Sequence, residues 1–429
     1  MLIADFHIHS KYSRATSKDM DILSLFKWGK IKGINVIGTG DFTHPLWLNE
    51  LKTYLEPAEN GLFKLKKEYE NEINNQIPKS VRNNILRFIL TVEISNIYSK
   101  NGKVRKLHNV MVVPSFKNAT NINQELDKIG NLKADGRPIL GMDSKDLLKL
   151  TLDIDSKNLF FPAHIWTPWF SMFGSKSGFN SIEETFEELS SEIKVVETGL
   201  SSDPFMNWRL KQLENITLIS NSDAHSARKL GREANLLNCK LDYEDIIKAL
   251  KTNDKRMVGT IEFYPQEGKY HYDGHRSCNI RFSPTESKKY NNICPKCNKP
   301  LVLGVDYRVS ELADFDESYR PQPHKKVEYI VPLAEIIAQT KGIKSTTSKT
   351  VEMIYFDMIS KLSNEFDILR NLDIEQIKNA GFRDIAIGIE NMRSGNVYIE
   401  PGYDGVYGII KVFDPQKYKN SITGQRKLL

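Results

Sequence analysis

Two pairs of residues in this chain have a spacing that suits metal binding. His7 and His9 stand two residues apart in ADFHIHS, and Asp223 and His225 repeat that spacing in LISNSDAHS. Side chains at positions i and i+2 of a strand point to the same face, so the two residues of each pair can bind one ion. The spacing therefore predicts a metal site at the ends of strands.

Further candidate ligands occupy the same kind of position between these two pairs. Each ends an apolar, strand-like segment or follows it directly: Asp41, His44, Glu93, His108 and His164. One zinc or manganese ion takes only three or four protein ligands. Nine candidates on one rim therefore predict two or three divalent ions (Zn, Mg or Mn) that share bridging carboxylates. If each histidine were an isolated core or surface residue, the shared position of the set would have no explanation.

The segments that carry these residues alternate with segments of helical spacing. Short runs rich in Val, Ile and Phe end at Gly, Pro, Asn or Ser, which is typical of strands. About seven such β-α units in series predict an α/β fold, a barrel with a largely parallel sheet. Loops after the strands form the active face of such a barrel, so the candidate ligands would share one rim.

A second metal site is predicted beyond residue 258. His275 and Cys278 form an H-x-x-C pair, and Cys294 and Cys297 form a C-x-x-C pair, with His271 as an alternative to His275. Two such pairs match a zinc ribbon, in which protein side chains fill all four positions of one structural zinc ion.

Changes of pattern along the 429 residues predict three domains. These are a catalytic barrel in 1–258, a zinc-ribbon-like domain in 259–310, and a mainly helical C-terminal domain with a terminal β-hairpin in 311–429. No apolar run approaches the roughly 20 residues that span a bilayer, so no membrane partner is expected. Clustered cysteines indicate a reducing compartment, so we expect a cytoplasmic, nucleoid-associated monomer. The net charge of +6 permits a polyanionic partner without requiring one.

Clustered divalent ions favour one kind of chemistry. They lower the pKa of a bound water and clamp the oxygens of a phosphoryl group during in-line displacement. The sequence contains neither a G-x-S-x-G elbow nor a P-loop, which disfavours a serine hydrolase or an NTPase. Phosphoester hydrolysis by metal-bound hydroxide is therefore the leading prediction.

The motifs HIHS, GDFTH and SDAH, with Glu93, His108 and His164, resemble those of the PHP (polymerase and histidinol phosphatase) superfamily. Further segments, among them PAHIWTPWFSMFGSKSGF, YHYDGHRSC, CPKCNKPLVLGV and PGYDGVYG, resemble the endonuclease Q family. The resemblance implies a PHP-type distorted (β/α)7 barrel, then a small zinc-binding domain and a mainly helical C-terminal domain. It implies a DNA repair endonuclease that cuts 5′ to deaminated bases (uracil, hypoxanthine, xanthine) and abasic sites, leaving 3′-hydroxyl and 5′-phosphate ends.

The resemblance also implies a distribution of the ligands among three ions. His7, His9, Glu93 and Asp223 would hold one ion, Glu93 would bridge to a second on His108 and His164, and His225 with His44 or Asp41 would hold a third. The chain departs from the PHP pattern at 11–14, where many members have a His or Asp, and at Phe42 and Thr43, which separate Asp41 from His44. The predicted catalytic residues are His7, His9, Glu93, Asp223 and Arg14. Glu197 in VVETG also ends a strand-like segment and could face the site, but an outer or structural role is the favoured interpretation.

The expected partner is damaged DNA, as duplex or single strand. Trp166, Trp169, Phe170 and Phe173 lie in one aromatic loop that could stack on a base or wedge the duplex. Packing against a neighbouring domain is an equal alternative for this loop. The side chains of Arg14, Arg228 and Lys229 could hold phosphates or could be surface charges. A sliding-clamp contact has no visible signal in the sequence.

Two other functions compete with the endonuclease. A phosphatase for a small phosphomonoester would use the same metal site, but it would need neither the zinc ribbon nor the additional helical region. A zinc-stabilised nucleic-acid-binding module without catalysis would have broken metal ligands, whereas here they are intact.

Overall fold

The structure, a computed structural model, describes residues 1–414. It forms two compact units. The first unit comprises Met1–Ile77, Asn84–Glu262 and Arg308–Glu328, and the second comprises Pro78–Asn83, Phe263–Tyr307 and the described residues from Tyr329 onward. The predicted domain boundaries at 258 and 310 stay predictions, and the last residues of the predicted C-terminal domain, 415–429, lie outside the described part.

The strands are short except for two in the first unit. They are β1 (Leu2–Asp5), β2 (Val36–Gly38), β3 (Leu55–Pro57), β4 (Phe63–Leu65), β5 (Arg87–Lys100), β6 (Lys103–Val113), β7 (Ile139–Leu140), β8 (Leu159–Pro162), β9 (Val195–Glu197), β10 (Thr217–Ile219), β11 (Ala234–Leu237), β12 (Met257–Glu262), β13 (Asp273–His275), β14 (Ile280–Phe282), β15 (Lys326–Tyr329), β16 (Tyr398–Glu400) and β17 (Ile409–Lys411).

Many of the helices begin at a Ser or Asp whose side chain accepts a bond from the first turn, as at Asp21, Ser115 and Ser348. The helices are α1 (Ile22–Lys32), α2 (Pro45–Tyr54), α3 (Lys67–Gln76), α4 (Phe116–Leu126), α5 (Ser144–Ile154), α6 (Ile182–Phe186), α7 (Pro204–Asn207), α8 (Tyr243–Thr252), α9 (Pro284–Lys289), α10 (Val305–Leu312), α11 (Leu333–Lys341), α12 (Lys349–Lys361), α13 (Ile374–Asn379) and α14 (Arg383–Arg393). Among residues 1–414, none of them combines the length and the apolar composition needed to cross a membrane.

The first unit is a mixed α/β structure with a central sheet. Its strands follow the order β15-β12-β11-β1-β2-β5-β4-β3, while β6 joins β5 to β8 and β7 pairs with β5. The β1–β2 and β2–β5 pairs are parallel, as the sequence predicts. The β1–β11, β11–β12, β5–β6 and β6–β8 pairs are antiparallel, so the prediction of a largely parallel sheet is wrong.

A two-residue turn explains the largest departure from the predicted β-α alternation. Asn101 and Gly102 connect β5 directly to β6, and both have positive φ values, 53° and 70°. Asn-Gly with two left-handed residues is the favoured hairpin turn, because its twist matches that of the strands. The hairpin pairs Ser95 with His108 and Glu93 with Val110, which brings two predicted ligands close together without a crossover helix.

Apolar side chains at the base of the strands form the core that fixes the ligand-bearing ends. Phe6 and Ile8 are buried and alternate with the two histidines that follow β1. The core cluster includes side chains from nine strands and from α8, among them Ala4, Val36, Ile89, Val110, Phe161, Val195, Ile219, Leu237, Leu250 and Met257. Each fully buried side chain of this kind contributes about 1.5–3 kcal/mol, so the strands are held firmly below the polar rim.

The second unit combines two small hairpins with a helical part. One hairpin pairs β13 with β14, and the other, predicted at the C-terminal end, pairs β16 with β17. Helices α11 and α12 are joined through the buried carboxylate of Glu365, which accepts bonds from the Leu333 N–H (3.0 Å) and the Tyr355 hydroxyl (2.7 Å). Four helices, α11 to α14, follow one another in this part of the chain, and the predicted helical C-terminal domain stays a prediction.

Glu262, at the end of β12, supports a prediction on pH and stability. Burial raises its pKa to about 8 from 4.5, although a hydrogen bond from Ser220 partly offsets the effect. A carboxyl group with a raised folded-state pKa binds its proton more tightly when folded, so stability falls as the pH rises from 4.5 towards 8. Glu262→Gln stays neutral, so the variant should avoid most of this loss, which amounts to ~4 kcal/mol.

The measurement is the thermal midpoint of wild type and variant from pH 5 to pH 9. We expect the midpoint of the wild type to fall more steeply than that of Glu262→Gln, with exposed Glu188→Gln following the wild type. Parallel curves for wild type and Glu262→Gln would contradict the prediction.

Candidate metal centre

Unusual backbone geometry turns three ligand-bearing residues towards one rim of the first unit. Asp41, His164 and Asp223 each follow a strand and have positive φ values of 52°, 29° and 46°. Residues other than glycine rarely adopt this conformation, which costs about 1–3 kcal/mol and is concentrated at functional sites. The chain therefore accepts local strain where the predicted ligands lie.

The first group of possible ligands contains His7, His9 and Asp223, whose ligand atoms lie within 4.8 Å of one another. His9 Nε2 lies 3.0 Å from Asp223 Oδ1 and 3.3 Å from Glu93 Oε2. His7 Nε2 lies 3.5 Å from Glu93 Oε1 and 3.8 Å from Asp223 Oδ1. Both imidazoles therefore present Nε2 to the same two carboxylates.

A second carboxylate behind each imidazole fixes its orientation. Glu197 accepts from His7 Nδ1 at 2.9 Å, and its Oε2 also accepts from the backbone N–H of His164 at 2.8 Å. Asp41 lies 3.3 Å from His9 Nδ1 and accepts bonds from Ser10 and Ser13. Such outer carboxylates fix the tautomer of a ligating histidine and raise its basicity.

The second group contains Glu93, His108 and His164, again within 4.8 Å of one another. Glu93 Oε1 lies 2.8 Å from His108 Nδ1 and 3.1 Å from His164 Nε2. Both oxygens of Glu93 therefore face imidazole nitrogens, and Oε1 lies between His7 of the first group and His108 and His164 of the second. This is the position required of a carboxylate that bridges two ions.

The charges of the two groups stabilise one another. Burial opposes ionisation of Glu93, but the charges of His108, Arg137 and His7 hold its pKa well below its ordinary value. Burial opposes protonation of His7, but the charges of Glu197 and Glu93 raise its pKa well above the ordinary value. Burial lowers the pKa of His108 to about 4. Metal coordination requires ionised carboxylates and neutral imidazoles, so a bound ion would have to displace the proton that His7 otherwise keeps.

The donor set fits divalent cations. His7 Nε2 is buried and has no hydrogen-bond partner among the described residues, although two carboxylates face it. A cation among these atoms would satisfy the nitrogen and offset the clustered negative charge. Imidazole with carboxylate oxygen suits zinc or manganese.

Three of the predicted ligands lie outside both groups. Asp41 supports His9, as described above. His225 Nδ1 lies 2.9 Å from the Asp223 backbone oxygen, and the ring of His44 stacks on that of Tyr12 at 4.3 Å. Among residues 1–414, this rim gathers two groups of possible ligands, and the third ion stays a prediction.

The predicted DNA-contacting residues have different surroundings. Trp166 is buried against Phe173, and its indole N–H donates to Asn207 Oδ1 at 2.8 Å. The prediction that Trp166 stacks on a base is therefore wrong, because the ring packs within the first unit. Trp169 is 49% exposed, and Phe170 is half-buried with its ring 4.7 Å from that of His108.

The predicted cationic residues are exposed. The side chain of Arg14 is 86% exposed, with its Nε 3.9 Å from Asp135 Oδ2, and its catalytic role stays a prediction. Arg228 and Lys229 are both exposed, and the Arg228 guanidinium lies 4.8 Å from the Trp28 ring. Their contacts with phosphate stay predictions.

One charged residue of the site lies outside every sequence motif, and another has more contacts with the ligands than its position in the sequence indicates. Arg137 Nη1 lies 3.1 Å from Glu93 Oε2, although no motif includes this arginine. Glu197 ends β9 and was assigned only an outer or structural role, yet it contacts both His7 and the backbone of His164. The end of a strand was the available signal for Glu197, while Arg137 had only a neighbouring Asp-Gly turn.

The second unit contains the predicted zinc ligands in one place. His275, Cys278, Cys294 and Cys297 have ligand atoms within 4.8 Å of one another, with Cys297 Sγ 3.6 Å from His275 Nδ1. Burial opposes ionisation of Cys294, whereas backbone N–H groups of Lys296 and Cys297 lower the pKa of this thiol. The arrangement fits a tetrahedral zinc ion closed by protein ligands. The alternative ligand His271 is buried outside this group.

Glu197 supports a prediction about metal affinity. We expect Glu197→Gln to weaken Mn²⁺ binding about 10- to 100-fold, because the amide no longer fixes His7 with a negative charge. Titration of the metal-stripped protein with Mn²⁺, followed by electron paramagnetic resonance, measures the change. The matched control Glu188→Gln removes a carboxylate that is 68% exposed and should bind Mn²⁺ as the wild type does. Equal affinities in all three proteins would remove Glu197 from the site.

Comparison with curated proteins finds two relatives. Uncharacterized protein MJ0043 of Methanocaldococcus jannaschii is 35% identical over 277 residues, 61% of this chain and 33% of that protein. Uncharacterized protein YqxK of Bacillus subtilis is 31% identical over 260 residues, 60% of this chain and 62% of that protein. The match thus spans about a third of the first relative and less than two-thirds of the second. A family model, the MJ0043 C-terminal domain, matches residues 332–396, where α11 to α14 lie.

Comparison with solved structures covers nearly the whole chain. The lesion-specific endonuclease PfuEndoQ from Pyrococcus furiosus matches with a TM-score of 0.81 and 28% identity over 98% of both chains. Endonuclease Q in complex with a 27-mer duplex, with an abasic lesion at the active site, matches with a TM-score of 0.80 and 29% identity over 96% of this chain and 97% of that chain. The resemblance to endonuclease Q that the sequence motifs indicate is therefore confirmed over almost the full length of the chain.

Proposed function

We propose that this chain is a metal-dependent endodeoxyribonuclease that cuts damaged DNA. It hydrolyses the phosphodiester bond 5′ to deaminated bases and abasic sites and leaves 3′-hydroxyl and 5′-phosphate ends. The observation that carries the proposal is the position of Glu93 between two histidine-containing groups, in a chain that matches PfuEndoQ over 98% of both chains.

The chain's own residues would hold the ions and the strand in place. His7, His9 and Asp223 would hold one ion, His108 and His164 a second, and Glu93 would lie between the two. Bound divalent ions would lower the pKa of a coordinated water and offset charge on the phosphoryl oxygens. Glu197 and Asp41 would fix the imidazoles, which keeps the ligand atoms in place throughout the reaction.

Lesion recognition would use the rim of the same unit. A damaged nucleotide leaves the stack at a cost of a few kcal/mol, which is smallest for a mispaired or missing base. Trp169 is exposed, and Phe170 lies beside His108, so this pair would contact the opened strand next to the metal groups. Aromatic rings provide stacking that tolerates different bases, which suits an enzyme for several lesions.

The architecture proposed for this function has three parts. The first unit would be a distorted (β/α)7 barrel of the PHP type, with ligands on the rim where its strands end. The segment from β13 to Cys297, which contains the four Cys and His residues, would be a structural zinc domain, and α11 to α14 would form a mainly helical C-terminal domain. A site for a small phosphomonoester would need neither of the last two parts.

The proposal is tested with labelled duplexes that contain one uracil, one hypoxanthine, one abasic site or no lesion, in Mg²⁺ or Mn²⁺. We expect a single cut 5′ to each lesion and no cut in the undamaged duplex. DNA ligase should be able to reseal the nick, because this reaction requires a 3′-hydroxyl and a 5′-phosphate. Release of phosphate from a small monoester without DNA cutting would replace the proposal with a phosphatase.

A further inference from the structure

We propose that Arg137 is a substrate-binding residue, which leaves Glu93 when ions are bound and then holds a non-bridging oxygen of the phosphodiester. This inference rests on the proposed function and adds a residue that none of the metal-ligand motifs contains. Its basis is the position of the Arg137 guanidinium beside Glu93, the carboxylate that lies between the two ligand groups.

Arg137 reaches the interior of the site from the surface. Its Nη1 lies 3.1 Å from Glu93 Oε2, the oxygen that also lies 3.3 Å from His9 Nε2. The Glu93 side chain is completely buried, whereas that of Arg137 is 26% exposed. The guanidinium therefore spans the distance between solvent and the ligand groups, where a DNA strand would approach.

The loop that carries Arg137 is fixed on both sides of the site. The Arg137 backbone N–H donates to Asp135 Oδ1 at 3.0 Å, and the Gly136 N–H donates to the Tyr12 carbonyl at 3.0 Å. On the other side, the Ser95 N–H donates to the Pro138 carbonyl, also at 3.0 Å. The loop thus joins the segment after β1 to strand β5, so the position of Arg137 is set by the ligand-bearing elements themselves.

Close packing at Gly136 confirms how tightly the loop approaches the site. A Cβ atom at this position would lie 2.3 Å from Asp41 Oδ2 and 2.6 Å from Ser13 Oγ. Any side chain here would push the loop away from the carboxylate that orients His9. Glycine therefore allows the approach that brings the next residue to Glu93.

The chemistry of the guanidinium favours phosphate over carboxylate once ions are present. Ions bound to Glu93 would compete with Arg137 for the same oxygens and repel its charge. A guanidinium has five N–H donors in a planar fork, which matches two oxygens of a phosphate group. A short movement of the Arg137 side chain would replace its hydrogen bond to the Glu93 carboxylate with one to a non-bridging phosphate oxygen, so no hydrogen bond would be lost.

The test is a double-mutant cycle in which the positive charge of Arg137 and the negative charge of the scissile phosphate are removed separately and together. The probe is a 27-mer duplex with an abasic-site analogue whose scissile phosphate is either native or replaced by a neutral methylphosphonate. Dissociation constants are measured by fluorescence anisotropy with Ca²⁺ as the ion, for wild type, Arg137→Ala, Arg137→Lys and exposed Arg383→Ala, with cleavage checked in the same samples. Mn²⁺ affinity without DNA is measured for each protein as a second readout.

If Arg137 holds this phosphate, the methylphosphonate should weaken the wild type and Arg383→Ala about tenfold more than it weakens Arg137→Ala. Arg137→Lys, which retains the charge, should recover part of the difference. Mn²⁺ affinity of Arg137→Ala should equal or exceed that of the wild type, because a competing cation is gone. Equal methylphosphonate penalties in wild type and Arg137→Ala, or weaker Mn²⁺ binding by Arg137→Ala, would overturn the proposal.

Failure of the proposed function gives a different result. If the wild type neither prefers the lesion duplex over an undamaged one nor cuts it in Mg²⁺ or Mn²⁺, both proposals fall together. If the wild type prefers and cuts the lesion duplex but the penalties are equal, only the role of Arg137 falls.

Discussion

His9→Ala and Asp223→Asn should each reduce the rate of cutting at a lesion about 10³-fold or more, while DNA binding remains measurable. His9 Nε2 and Asp223 Oδ1 lie only 3.0 Å apart and both belong to the first group, so each variant removes a donor from it. Bound ions supply several kcal/mol of transition-state stabilisation, and each tenfold in rate corresponds to about 1.4 kcal/mol. Binding depends mainly on contacts with the phosphate backbone, which these variants leave in place.

Single-turnover cleavage of a uracil duplex measures the rate, and anisotropy measures the binding. The matched controls are His324→Ala, which replaces an exposed histidine, and Asp153→Asn, which replaces a carboxylate that is 63% exposed. Both controls should cut at the wild-type rate. Wild-type cutting by His9→Ala or Asp223→Asn would show that the first group is not a metal site of this reaction.

Cys294→Ser should release one zinc ion per protein and lower the stability of the second unit by about 4 kcal/mol or more. Cys294 is buried, and its sulfur lies within 4.8 Å of three other ligand atoms. A hydroxyl at this position binds zinc poorly, so the variant would leave the three remaining ligand groups without their ion. The loss should appear as an earlier unfolding transition in calorimetry and as a lower zinc content by elemental analysis.

Cys239→Ser is the control, because this cysteine lies in the first unit and outside the four-ligand group. It should keep its zinc and the transition of the second unit. A wild-type zinc content in Cys294→Ser would contradict the structural zinc site. An unchanged transition after zinc loss would show that the ion does not stabilise this unit.

The spacing of polar residues predicted much of the candidate site, because strand periodicity is visible in a sequence. His7 and His9 were expected on one face after β1, and their Nε2 atoms do face the same pair of carboxylates. The four Cys and His residues of the second unit were expected together, and they are. Their roles as metal ligands stay predictions.

Predictions of where a residue lies were less accurate where the geometry depends on how two strands pair. Glu93 and His108 were placed at strand ends, whereas they lie within β5 and β6. The Asn101–Gly102 turn could have revealed the hairpin, since this dipeptide is a strong hairpin signal. Arg137 could not have been found by spacing, because its contact with Glu93 depends on how a distant loop folds back.

The first unit includes a segment that comes late in the sequence, and this has a consequence during protein synthesis. Its sheet begins with β15, next to β12, and residues 308–328 belong to this unit although they follow the zinc-ligand segment. A ribosome makes the chain from its N-terminus, so it must deliver all four Cys and His residues before the sheet can gain its last strand. A nascent chain that stops near residue 300 would therefore leave the edge of β12 unpaired, and this edge could pair with another chain and cause aggregation. A truncated expression product would have the same exposed edge.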